Sequence, residues 1–139
     1  LLDHIDQSPF SITVGSASQQ GFPLVFVNKA FETVTQYPRV DVLGQSCSIL
    51  QSSKTDREYC EKISATLAKG SGIKVAVTNR RKDGSDFNNF LALRAIHDRE
   101  GRYKFVLGVQ YDVSKEDSSL RDIKMIEDLM VIVGNVMMS

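Results

Sequence analysis

The sequence predicts an α+β fold: one five-stranded antiparallel sheet with helices packed on one face, plus a flanking helix at each end. Three observations point there. Two short strand patterns open the chain, a punctuated helical stretch fills its middle, and three longer runs with period-two alternation follow. Asp83-Gly84 and Glu100-Gly101 sit at the two connections between those runs, as tight hairpins require.

Residues 1–7 form a short entry helix that Ser8-Pro9 stops, because the residue before a proline avoids the helical region. Residues 10–14 and 23–27 are strands joined as a hairpin by a polar, glycine-flanked loop. Residues 28–50 make short helical turns punctuated by Pro38 and Gly44. Thr55, with Glu58 three residues on, has the form of a capping box with Thr55 at the N-cap; the helix it opens ends at Lys69-Gly70. The three longer strands span 73–80, 86–97 and 102–113. From Ser114 the pattern turns helical. Ile123, Ile126, Met130, Val133 and Met137 recur at spacings of three and four, and Met125, Leu129, Ile132 and Val136 widen the stripe on one side. Such a stripe needs cover: it lies across the outer face of the sheet, pairs with the same helix of a second molecule in a homodimer, or completes the core. The expected organisation is a flanking segment over 1–9, a core over 10–114 and a C-terminal amphipathic helix over 115–139 that links to an effector domain.

At 139 residues the chain is large enough to bury roughly two-thirds of its unfolded surface in one core. Seventeen basic and seventeen acidic side chains cancel, so no overall field recruits nucleic acid or an anionic membrane. Cys47 and Cys60 are too few for a disulfide framework and read as thiols of a reducing, cytoplasmic interior. Neither a signal peptide nor a membrane-spanning run is visible, and the chain reads as a piece of a longer protein. Two cysteines with the distant His4 and His97 offer neither zinc spacing nor a nucleophile-base pair, and no glycine-rich phosphate loop is present. Arg80-Arg81-Lys82 reads as a solvated hairpin tip.

The unusual feature is a set of three carboxamides. Period two places Asn79 on one face with Ile73, Val75 and Val77, and Asn89 with Leu91, Leu93 and Ala95; Gln110 falls on the inner face of the last strand. A buried carboxamide needs partners for two donors and two lone pairs, and each unpaired group costs roughly 1–3 kcal/mol. A planar ligand with an alternating donor and acceptor edge would supply them. Taken alone, Cys47 is better read as a small buried hydrophobe.

Its context is more specific. Leu43-Gly44-Gln45-Ser46-Cys47-Ser48-Ile49-Leu50-Gln51 followed by Thr55-Asp56, then Asn79-Arg80-Arg81-Lys82-Asp83-Gly84, Phe87-Asn88-Asn89, and Leu107 to Ser114 resemble, in order and spacing, the motifs of LOV domains. These are the flavin-binding, blue-light-sensing branch of the PAS superfamily. The resemblance implies a PAS fold and a non-covalently bound flavin, usually flavin mononucleotide (FMN), whose pyrimidine edge meets Asn79, Asn89 and Gln110. It implies that Leu91, Leu93, Val106 and Gly108 flank the ring, that Gln51 meets the ribityl chain, and that Thr13, Ser46, Leu50, Ile63 and Leu67 complete the binding set. Cys47 would be the photoreactive thiol, bonding reversibly to the ring carbon next to N5 after blue-light excitation. Gln110 would relay the change by rotating its amide, releasing or repacking the terminal helix. The domain would turn over no substrate and would not be an enzyme.

The sequence departs from the family at the positions of its two phosphate-directed arginines, which hold Ser48 and Ser64. Arg57, seven residues before Ser64 and on the same helix face, is either a substitute phosphate contact or a solvated first-turn cation. Riboflavin therefore stands beside FMN as the expected cofactor. Ser46, Asn88 and Val106 also replace common family residues, which bears on photochemical yield and lifetime. The competing readings are a flavin-free PAS interaction module that dimerises through the terminal helix, and a flavin redox protein.

Overall fold

The computed structural model describes residues 2–113 and 120–138. Its sheet has the order β2-β1-β5-β4-β3 with every neighbouring pair antiparallel. The strands are β1 (Ser11–Ser16), β2 (Leu24–Val27), β3 (Ile73–Arg80), β4 (Asp86–His97) and β5 (Tyr103–Asp112). The hairpin turns close as their glycines predict, with Gly84 at φ +91° and Gly101 at φ +81°. The strand β1 runs two residues further than its apolar pattern, because pairing with β5 continues to Ser16 opposite Phe105.

Between the two strand groups lie α2 (Lys29–Thr35), α3 (Arg39–Val42), a 3-10 turn at Cys47–Leu50 and α4 (Arg57–Ala68). Leu24, Val27, Phe31, Val42 and Leu50 form the core on this side. Asn28 fixes its entry. Its buried Oδ1 accepts from Phe31 N at 3.1 Å and Ile12 N at 2.8 Å, while Nδ2 donates to the carbonyls of Ile5 and Phe10, both at 2.8 Å. A single side chain thereby satisfies the start of α2 and ties it to β1 and to α1 (Leu2–Asp6).

One local expectation is corrected. The N-cap of α4 is Asp56, whose carboxylate accepts from Glu58 N at 2.9 Å, and not Thr55. The Thr55 hydroxyl is engaged elsewhere: it accepts from Ser52 N at 2.9 Å and donates to the Thr78 carbonyl of β3, which leaves the cap to the next oxygen-bearing side chain.

The flanking helices cover the opposite face. On α5 (Leu120–Met138), Ile126, Met130 and Val133 pack with Ile5 of α1 against Ile12, Ala92, Ile96, Leu107 and Val109. Arg94 of β4 donates to the Met130 carbonyl at 3.1 Å, and Lys74 pairs with Glu127 at 2.9 Å. The apolar stripe lies across the outer face of the sheet and completes the core there; Met125, Ile132 and Val136 of its second row remain exposed. The hand-over at Ser114, and with it the boundary between core and helix, lies outside the described residues. Among the described residues no helix is long and apolar enough to cross a membrane.

At one end of the sheet Arg81 makes a hub. Its Nη2 lies 2.6 Å from Asp112 Oδ2, Nε donates to the Val34 carbonyl at 3.1 Å, Nη1 reaches Ser85 Oγ and the Asp86 carbonyl, and the guanidinium stacks 4.6 Å from the Phe87 ring centre. The expected solvated tip is thus solvated only in part. Lys82 follows that reading, with an exposed ion pair to Asp41 at 3.1 Å, whereas Arg81 is largely buried.

Candidate functional site

The inner face of the sheet and the 3-10 turn with α4 enclose a cavity of about 280 Å³, near the small end of the range for small-molecule sites, roughly 300–1,000 Å³. The period of two decides which residues reach it. On β5, Val106 and Gln110 face inward while Leu107 and Val109 face α5; on β4, Asn89, Leu91 and Leu93 face inward while Ala92 and Ile96 face α5. Along β1 the inner positions are Ser11, Thr13 and Gly15, all small, which is why this side of the sheet has room beneath it.

Of the residues expected from sequence, Thr13, Ser46, Cys47, Leu50, Gln51, Ile63, Leu67, Asn79, Asn89, Leu91, Leu93, Val106 and Gln110 all line this one cavity. Gly108 and Arg57 do not. Gly108 lies in the floor instead: a Cβ there would come within 2.5 Å of Thr13 Oγ1 and 3.1 Å of Leu93 Cδ2. Arg57 is exposed. Ser48, Cys60 and Ser64 do reach the wall, and none of the residues that line it carries a charge.

The carboxamides are buried, at 6% exposure for Asn79, 0% for Asn89 and 2% for Gln110. Asn89 Nδ2 donates to Asn79 Oδ1 at 2.9 Å, and Asn89 Oδ1 accepts from Tyr111 N at 3.2 Å. Gln110 Oε1 accepts from Ser11 Oγ at 2.7 Å, and its Nε2 donates to Thr13 Oγ1 at 3.2 Å. Asn79 spends only its oxygen on the described residues, so its amide donors are left at the cavity wall. Ser11 is a contact the sequence reading missed. Its signal was a polar residue two positions before Thr13, hence on the same face of an otherwise apolar strand.

Cys47 opens the 3-10 turn, where the Ser46 hydroxyl caps the backbone by accepting from Ser48 N at 3.2 Å. Cys47 is exposed and lines the cavity, yet desolvation by the protein around its thiol pushes the pKa from 9.0 up to about 12. The sulfur therefore keeps its proton at neutral pH. Among the described residues, no cluster of three or more His, Cys, Asp or Glu could hold a metal.

A model of the PAS domain family matches residues 9–115. The solved LOV domain of a blue-light-activated histidine kinase from Erythrobacter litoralis superposes with a TM-score of 0.73 at 34% identity, covering 76% of this chain and 97% of that one. The chain belongs to the LOV branch of the PAS superfamily. Two curated relatives agree: blue-light-activated histidine kinase 2 of Erythrobacter litoralis, 34% identical over 110 residues, and a blue-light photoreceptor of Listeria monocytogenes, 34% identical over 116 residues. The alignments cover 79% and 84% of this LOV chain but only 32% and 46% of those proteins, so it spans less than half their length.

The residues present fit the flavin that the LOV family implies. Asn79 offers unspent amide donors to a heteroaromatic edge, and the apolar walls from Leu91, Leu93 and Val106 suit a flat ring.

Proposed function

We propose that this LOV domain senses blue light through a non-covalently bound flavin that bonds reversibly to Cys47, and passes the change through Gln110 to α5. The observation that carries it is the meeting of a protonated, cavity-facing thiol with three buried carboxamides in one uncharged pocket. Bound flavin supplies absorption of blue light and an excited ring that accepts a thiol. Asn79, Asn89 and Gln110 would hold the polar edge of the flavin, and Cys47 would be the thiol that adds to the excited ring, its Sγ–H bond supplying both the sulfur and the proton. The thiol brings both halves of what is added, so no external oxidant or reductant takes part. Gln110 would answer a change from acceptor to donor at the ring edge by turning its amide oxygen toward it. The core over 10–114 would hold the flavin, α1 and α5 bear on the outer face, and the output would be a repacking of α5 that an effector or a second copy reads.

An absorption spectrum before and after blue light, with Cys47→Ala in parallel, tests the reading. Reversible bleaching of a structured blue band is expected in the parent and not in the variant. A protein that stays colourless after incubation with riboflavin and FMN would leave a flavin-free interaction module.

The cofactor choice follows from charge. A phosphate contact by Arg or Lys favours FMN over riboflavin by about tenfold or more, and the wall supplies no cation, while Asp56 already caps the nearest helix start. Equal affinities for the two flavins, within about threefold, are expected in a fluorescence titration, unchanged by Arg57→Ala. A tenfold preference for FMN that Arg57→Ala abolishes would restore Arg57 as the phosphate contact.

A further inference from the structure

The Gln110 amide is held at both ends by hydroxyls, and this arrangement bears on how it switches. Ser11 stands directly opposite Gln110 in the β1–β5 ladder and donates to Oε1 at 2.7 Å. Thr13 stands opposite Gly108, and because Gly108 has no side chain, Gln110 Nε2 reaches diagonally past it to Thr13 Oγ1 at 3.2 Å. Ser11 and Thr13 are 1% and 3% exposed, so both contacts are shielded from bulk solvent.

A hydroxyl donates or accepts with equal ease, unlike a backbone carbonyl or amide. Turning the Gln110 amide by half a revolution puts its NH2 on Ser11 and its oxygen on Thr13, and both hydroxyls satisfy the new arrangement by rotating their protons. The two orientations occupy the same volume. Resting on the light-sensing reading above, we propose that Ser11 and Thr13 are positioning residues: a two-hydroxyl cradle that keeps both orientations of Gln110 paired, so that the donor or acceptor sense of the flavin edge alone selects between them.

Removing one hydroxyl breaks the symmetry in a direction that depends on which one. A buried unpaired N–H is worse than a buried under-satisfied C=O, which has a second lone pair to use. With Ser11→Ala, the observed orientation leaves only the oxygen short of a partner, whereas the turned one strands the NH2. The turned, light-state orientation is penalised and thermal return to the dark state is faster by about tenfold. With Thr13→Val, the observed orientation strands the NH2, the turned one is favoured, and return is slower by about tenfold. Ser11→Thr keeps the hydroxyl and recovers the parent rate within about threefold.

The experiment is dark recovery of the bleached band after a blue flash, each protein saturated with riboflavin. Acceleration in Ser11→Ala, deceleration in Thr13→Val and recovery in Ser11→Thr are expected. A merely structural role would move the first two in one direction; that result, or changes below about threefold in both, overturns the cradle. Failure of the parent itself to bleach is seen before any variant is compared, and it removes the light-sensing reading and the cradle with it.

Discussion

Asp112→Ala should destabilise the domain by about 3 kcal/mol, lowering the midpoint of thermal unfolding by roughly 10 °C. Asp112 is 6% exposed, and Arg81, the cation 2.6 Å from it, has a side chain 21% exposed. Removing the carboxylate leaves the half-buried guanidinium without its nearest counter-charge, while its other bonds, to the Val34 and Asp86 carbonyls, hold it in place. The loss is therefore the penalty of an uncompensated charge and not the modest net worth of the pair. Arg81→Ala should cost as much or more, since it also removes those carbonyl bonds and the stack on Phe87. The double variant should cost less than the sum of the two. Thermal unfolding of the three proteins checks this; strictly additive losses would mean that the pair is not coupled.

Cys47 should react with a thiolate-directed alkylating reagent at pH 8 roughly thirtyfold more slowly than an ordinary thiol, in a Cys60→Ser background that leaves one thiol to read. A pKa raised from 9.0 to about 12 lowers the thiolate fraction at that pH by about three decades. The greater intrinsic nucleophilicity of a high-pKa thiolate returns about one and a half of them. The sign is checked by the pH profile. Burial favours the neutral form, so the rate must still be climbing at pH 11, two units above the point where an ordinary thiol begins to level off. A plateau near pH 9 would show that the thiol is solvated in the cavity and that its proton is not held back.

Most of this fold is written in local chemistry. Alternation set the faces of β3, β4 and β5, Gly84 and Gly101 marked the turns, and the spacing of Ile126, Met130 and Val133 gave the buried side of α5. The misplaced cap shows the limit: Thr55 and Asp56 are both good capping residues, and the choice was made by the Thr78 carbonyl, which sits on a strand more than twenty residues away. Ser11 and the Arg81 hub were hidden for the same reason, since each acquires its role from residues brought up by the sheet. The uncharged wall was half legible. Ser48 and Ser64 could be read as absent cations, but only the fold shows that Arg57 stands outside the lining.

The strand order also sets a schedule for synthesis. The central strand β5 is the last to be made, and β1 waits almost a hundred residues for it, Ser11 pairing with Gln110. Until residues 103–112 leave the ribosome, the nascent chain holds two separate hairpins, β1–β2 and β3–β4, with no ladder between them. An isolated two-stranded hairpin is marginal in water. The pocket floor, with Gly108 and Gln110, thus arrives in the same stroke that joins the two halves, and a nascent chain cut short before β5 has neither a continuous sheet nor anywhere to hold a ligand.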